Sequence, residues 1–289
     1  MSDAPLTWRV GRVSITRVVE IELATKYRAD RPFIVEATPE ALKSTPWLYP
    51  HFVDDDGSLL VSIHALLVEA PGLKLVVDTC IGNDRPRAFV GGRPLATPFL
   101  ERFRETGWTR ESVDMVLCTH LHVDHVGWNT MLEEGKWVPT FPRARYLIGR
   151  EEYAHWSAEG EAEQQTILSD SIQPILDAGL AEMVELDHVI SPELRLVPTT
   201  GHTPGHVSLM IESEGKRGMI TGDIMHHPCQ IAHPDWAPGF DSDKAAAIAT
   251  RKRVLGEVAD EPVLVIGTHF PAPTAGHIRR DGDAYSFEV

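Results

Sequence analysis

Residues 118–127 read Cys-Thr-His-Leu-His-Val-Asp-His-Val-Gly and close the apolar run 113–118. Within it, His120, His122, Asp124 and His125 crowd three imidazoles and a carboxylate among residues that belong in a core. Burying so many polar groups is costly unless something satisfies them. Imidazole nitrogens and carboxylate oxygens are the donors that zinc and its neighbouring divalent metals accept. His120 and His122 are two apart and point the same way in extended chain, while Asp124 and His125 follow as the chain turns. So short a loop cannot wrap all four donors around one ion. The pattern therefore predicts two adjacent cations, one on His120 and His122, the other on Asp124 and His125. Because the cluster follows the carboxyl end of a strand, it also predicts an α/β sheet, which gathers ligands at that edge.

Each cation then needs donors from elsewhere. Thr200-Gly201-His202-Thr203-Pro204-Gly205-His206, Thr221-Gly222-Asp223 and Gly267-Thr268-His269 supply them, each after a strand-like apolar run. Of the 14 histidines, His51, His64, His155, His188, His233 and His277 stand alone and are read as surface or core residues. His206 supports its motif, and His227 is structural.

Period-two alternation predicts strands near 9–20, 59–69 and 74–78, read as one antiparallel sheet. A short helix starts at Thr97-Pro98-Phe99, with Thr97 as cap and Pro98 in the first turn, and ends at Gly107. Strands follow at 113–118 and 144–148, helical patterns at 150–157 and 164–178, and strands at 194–198, 206–212 and 218–221. An amphipathic helix covers 243–258, and 263–267 is read as the last strand. Strands and helices in both halves predict two sheets packed face to face with helices outside. Residues 24–57 carry Pro32, Pro39, Pro46 and Pro50, which break regular structure. Its aromatics Trp47, Tyr49 and Phe52, together with Trp236, are read as walls of a pocket that the segment covers. The whole of 1–289 is expected to form a single domain.

Composition narrows the partners. The formal net charge is −15, and such a field repels polyphosphate, so nucleic acid is excluded as a partner. No apolar run reaches the length a membrane helix needs. The N-terminal residues lack the pattern of a secretory signal, which makes the cytoplasm the expected location. Cys80, Cys118 and Cys229 form no paired motif and are expected to be reduced core thiols.

The ligand string H-x-H-x-D-H at 120–125, followed by His202, Asp223 and His269, resembles the metallo-β-lactamase superfamily of metal-dependent hydrolases. The resemblance runs from about residue 59 to residue 269. It implies the αββα sandwich, two mixed sheets flanked by helices with the site at one edge. By the same match, His120, His122 and His202 bind the first metal, Asp124, His125 and His269 the second, and Asp223 bridges them. Asp78 supports the site from behind its ligands. An aspartate at 223 is unlike the β-lactamases that carry cysteine there, and His122 is unlike the flavodiiron members that carry glutamate. The stretch 222–236 and the helix after it look most like the branch of methyl parathion hydrolase and the N-acyl homoserine lactone lactonases. Some of those lactonases place a tyrosine three residues after the bridging aspartate, where this chain has His226.

The resemblance implies two divalent ions, zinc first with manganese, cobalt or iron(II) as alternatives, which acidify a shared water for attack on a small apolar ester or lactone. His226 is expected to touch the substrate oxygen, and Asp124 or Asp223 to pass a proton to the leaving group. A phosphotriesterase or a glyoxalase II-like thioesterase would use the same ligands. A metal-binding module without catalysis is the rival from another class. Related lactonases and organophosphate hydrolases form dimers, so a homodimer is one expected assembly.

Overall fold

The structure, a computed structural model, describes residues 5–289. It divides into two compact units, one comprising the chain through Ile21 with Ile63–His188, the other Glu22–Ser62 with Val189–Val289.

The sheet of the first unit has seven strands in the order β1-β2-β3-β4-β5-β8-β9. These are β1 (Thr7–Val10), β2 (Val13–Thr25), β3 (Leu59–Ala70), β4 (Leu73–Val77), β5 (Met115–Cys118), β8 (Arg145–Gly149) and β9 (Ala181–Val184), while β6 (Thr130–Glu133) and β7 (Lys136–Pro139) form a separate hairpin. β3 and β4 are antiparallel, but β4, β5, β8 and β9 run parallel, so the sheet is mixed rather than antiparallel. β4, β5 and β8 each end in an apolar run because both their faces are covered there. Val76, Val116, Tyr146 and Ile148 pack there with Phe99, Phe103 and Phe141.

Three local expectations change in this unit. The stretch 9–20 is two strands, because Gly11 takes a φ of 58° and turns the chain. The helix Phe99–Glu105 has Pro98 as its N-cap, without a side-chain bond. Thr97 instead donates to Asn83 Oδ1 (3.2 Å). The pattern at 164–178 is interrupted by a π-helical turn at Leu168–Ile172, which turns Asp170 and Ser171 into the interior. Glu20, 2% exposed, accepts from Ile81 N (2.8 Å), Gly82 N (3.2 Å) and Trp128 Nε1 (2.7 Å), fixing the chain beyond β4. Burial raises its carboxyl pKa against the pull of those donors.

The sheet of the second unit also has seven strands, in chain order: β10 (Val189–Ser191), β11 (Leu194–Pro198), β12 (Val207–Ser213), β13 (Lys216–Ile220), β14 (Val263–Ile266), β15 (Ala275–Asp281) and β16 (Ala284–Glu288). Only β13 and β14 are parallel, and the helix Lys244–Val258 connects them. Asp243 caps that helix by accepting from Ala246 N at 2.9 Å. The strand ending at Ile266 is not the last. The β15–β16 hairpin hides in a charged stretch, because its large core residues Ile278 and Phe287 stand among charged neighbours, Arg279 pairing outside with Glu288 (2.7 Å).

Residues 24–57 do break regular structure, with single helical turns at Pro39–Leu42 and Pro46–Leu48. Ile34, Leu42, Leu48 and Phe52 are nevertheless buried in the core of the second unit. Cys80, Cys118 and Cys229 are free and buried, and burial pushes the Cys118 thiol up to about 12. Among the described residues, no helix is long and apolar enough to cross a membrane.

Candidate metal centre

In the first unit, the candidate side chains sit at the carboxyl ends of three adjacent parallel strands. Asp78 follows β4, His120–His125 follow β5, and Glu152 follows β8. Asp78 adopts a φ of 56°, a left-handed conformation that aspartate tolerates better than most residues, and so turns its carboxylate toward β5. There it accepts from Thr119 N (2.8 Å), Thr119 Oγ1 (2.9 Å) and His125 Nδ1 (2.9 Å). Glu152 accepts from Leu121 N at 3.0 Å and holds the middle of the histidine segment.

These anchors set the imidazoles. His125 gives Nδ1 to Asp78, which turns its Nε2 the other way, 3.7 Å from Asp124 Oδ1. His120 Nδ1 meets Thr119 Oγ1 (3.1 Å), and its Nε2 faces His122 Nδ1 at 3.0 Å. The rings of His120 and His125 are 4.0 Å apart. Two ligands on one tetrahedral zinc lie roughly 3.3 Å apart for bonds near 2.0–2.1 Å, so the His120–His122 spacing suits a shared ion. His120 and His125 are fully buried.

In the second unit, β11, β13 and β14 point the same way, and His202, Asp223 and His269 follow their carboxyl ends. Gly222 has a φ of 55°, and a Cβ there would meet His206 Nε2 at 2.5 Å. Only glycine permits that approach. His206 Nε2 in turn accepts from Asp223 N at 2.7 Å, fixing the aspartate from its backbone. Asp223 Oδ2 is faced by His269 Nε2 (3.1 Å), His226 Nε2 (3.1 Å) and His202 Nε2 (3.6 Å). His202, Asp223 and His226 offer ligand atoms within 4.8 Å of one another.

The rear nitrogens of this cluster are engaged as well. His202 Nδ1 meets Asp241 Oδ1 at 2.8 Å, and His269 Nδ1 meets the Ser62 carbonyl at 3.1 Å. A metal-binding histidine characteristically gives its other N–H to a carboxylate or carbonyl, which fixes the tautomer and aims the bare nitrogen. Four of the histidines follow that rule or its hydroxyl variant, so the donor set of each unit fits divalent cations. Burial raises the Asp241 carboxyl pKa.

His226 lies inside the second cluster rather than at its rim. It stacks on His269 (centroids 5.8 Å, 7°) and meets His202 (4.8 Å), Phe240 (5.1 Å) and Phe33 (6.0 Å). His227 is structural, as expected: its Nε2 bonds the Phe52 carbonyl at 2.8 Å, and burial pulls it down to about 4. The aromatics read as pocket walls turn out to pack in the core. Phe52 is 1% exposed against Phe287, Trp47 and Tyr49 lie on the same core, and Trp236 stacks on His233. Phe33 and Phe240 line the cluster in their place. Phe240 is 47% exposed, an unusual position for so large an apolar ring. Sequence reading also passed over Asp241, which nothing in Phe240-Asp241-Ser242-Asp243 sets apart from the helix cap beside it.

The model of the metallo-beta-lactamase superfamily matches residues 59–269. The chain belongs to that superfamily, and it has the family's fold of mixed β-sheets with helices. Among curated proteins it is 30% identical over 168 residues to an N-acyl homoserine lactonase of Bacillus cereus. That alignment covers 57% of this chain and 59% of the lactonase, so it spans little more than half of the relative's length. Among solved structures it resembles the beta-lactamase superfamily hydrolase AbOPH (TM-score 0.80, 24% identity, 100% of this chain and 98% of that one). It also resembles AidC, a dizinc quorum-quenching lactonase (TM-score 0.78, 22% identity, 97% and 95%).

Proposed function

We propose that the chain is a dinuclear metal-dependent hydrolase of small apolar esters or lactones. His120, His122 and His202 would hold one ion and Asp124, His125 and His269 the other, with Asp223 available to both. One observation carries this reading: three imidazole Nε2 atoms converge within 3.6 Å of a single buried carboxylate oxygen, Asp223 Oδ2. Three such nitrogens around one oxygen are hard to satisfy with protons alone, whereas cations among them give every lone pair a partner. The order of the ligand motifs and membership of the superfamily support the same assignment.

Two divalent ions, zinc first among them, supply Lewis acidity that acidifies water and polarises the scissile carbonyl. The remaining work falls to the chain. His226, fixed among His202, His269 and Phe240, donates to the oxygen on which charge develops. Asp124 or Asp223 carries the proton to the leaving oxygen. Phe33 and Phe240 favour an apolar acyl or aryl group, and the segment 24–57, which carries Phe33, covers the site.

The test is metal content together with hydrolysis of aryl acetates, acyl homoserine lactones, a phosphotriester and an acyl-glutathione. Two ions per chain and chelator-sensitive turnover of the first two classes are expected. Two ions with no turnover of any member would leave a binding module. The partner of His202 provides a second check. Asp241→Asn keeps the shape but weakens the charge-assisted bond at Nδ1, so metal affinity is expected to fall roughly 10- to 100-fold. Unchanged affinity by competition with a chromogenic chelator would remove Asp241 from the site.

A further inference from the structure

On the helix Lys244–Val258, the buried face consists of Ala247, Val254, Leu255 and Val258, with one charged residue among them, Arg251, at 0% exposure. A guanidinium in that position is costly unless its N–H groups are met. Arg251 Nε donates to the Ile224 carbonyl (2.7 Å), and Nη1 donates to the carbonyls of Pro234 and Trp236 (2.8 Å each). Ile224 directly follows Asp223, while Pro234 and Trp236 lie at the far end of the same loop. One side chain thus ties the two ends of the loop that carries His226.

Gln230 completes the hold from inside the loop. Its Oε1 accepts from His226 N (2.7 Å) and His227 N (3.3 Å), and its Nε2 donates to the Trp236 carbonyl at 3.0 Å. The Trp236 carbonyl therefore receives both Gln230 and Arg251. The His226 ring itself is 2% exposed, and among the described residues neither of its nitrogens makes a hydrogen bond of good geometry. Its Nε2 faces the Asp223 carboxylate at 3.1 Å, and its backbone and ring neighbours set where the imidazole stands.

We propose that Arg251, acting with Gln230, is a positioning residue that aims the His226 imidazole; this rests on the reading of His226 as the group that meets the substrate oxygen. A misplacement of about 1 Å at a reacting group can cost on the order of 100-fold in rate. Arg251→Met cuts all three tethers, and Gln230→Met releases the His226 amide with a smaller disturbance of the core, so it serves if the first variant does not fold. Arg251→Lys, which can restore one tether, is expected to recover part of the loss.

The experiment combines kinetics of Arg251→Met, His226→Ala and the double variant on an aryl acetate with histidine-ring nitrogen NMR, the His226 signal being assigned by its absence in His226→Ala. Expected are a 10- to 100-fold fall in kcat for Arg251→Met, little further loss on adding it to His226→Ala, and a shifted or broadened His226 ring signal with both ions retained. Equal losses in both backgrounds, or an unmoved His226 signal in both Arg251→Met and Gln230→Met, overturn the proposal. The NMR reading is independent of turnover. A wild-type protein that hydrolyses nothing sinks the hydrolase reading, while a displaced His226 signal still supports the tether.

Discussion

Replacing Asp223 with alanine is expected to abolish turnover and to release at least one of two bound ions. The carboxylate follows β13, held from behind by His206 at its amide and faced by three imidazoles at its Oδ2. Removing it leaves His202, His226 and His269 converging on nothing, and their mutual repulsion on protonation adds to the lost ligand. Loss of a group that only supports a ligand costs 10- to 100-fold, so a bridge should cost more than about 100-fold. Atomic absorption on the dialysed variant and single-substrate kinetics on the metal-replete variant measure both effects. Retention of two ions with turnover within tenfold of the parent would move the bridge to another residue.

The largest expected loss of stability lies in the first unit, at Asp170. Arg85 and Arg87, 1% and 2% exposed, share that carboxylate. Arg87 Nη2 grips both its oxygens at 2.6 and 2.8 Å, and Arg85 Nη1 reaches it at 3.5 Å. Arg85 also donates to Ser171 Oγ and the Gly127 carbonyl (2.7 Å each) and to the Thr130 carbonyl (3.0 Å), with its guanidinium 4.0 Å from the Trp137 ring centroid. Burial pulls the Arg85 pKa down to about 10, so it stays cationic at neutral pH. Asp170→Asn preserves the shape but leaves two buried cations without a countercharge. Breaking a buried pair in that way costs about 3–5 kcal/mol. At 2–4 °C per kcal/mol for a unit of this size, the melting midpoint should fall roughly 6–20 °C. Calorimetry measures it, and a fall under about 2 °C would mean that the arginines find other partners. Because Gly127 and Thr130 follow the 120–125 segment, the same variant is also expected to loosen metal binding.

Much of the fold was written in the periodicity of the chain. The parallel strands β4, β5 and β8 end in apolar runs, and the helix at Lys244–Val258 announces itself by its stripe and by Asp243. The β15–β16 hairpin was missed because its large buried residues, Ile278 and Phe287, are few and its arginines mask the alternation. The π-helical turn at Leu168–Ile172 was missed for another reason: it pays off through the Asp170 carboxylate, whose arginine partners are more than 80 residues away.

The candidate site divides the same way. The grouping of His120, His122, Asp124 and His125 was legible because donors on one loop are close in sequence, and the candidates His202, Asp223 and His269 because each ends a strand. Asp241 and Arg251 carried no such mark, since a residue that supports a ligand is recognised only by what it touches. The aromatics make the point most plainly. Trp47, Tyr49, Phe52 and Trp236 looked like pocket walls and pack in the core, whereas Phe33 and Phe240 stand against His226. A sequence fixes which side chains are apolar, donor or acceptor, and where local geometry repeats. Which apolar ring is covered and which faces a cluster depends on contacts between segments far apart in the chain, and those come into being only when the backbone has folded.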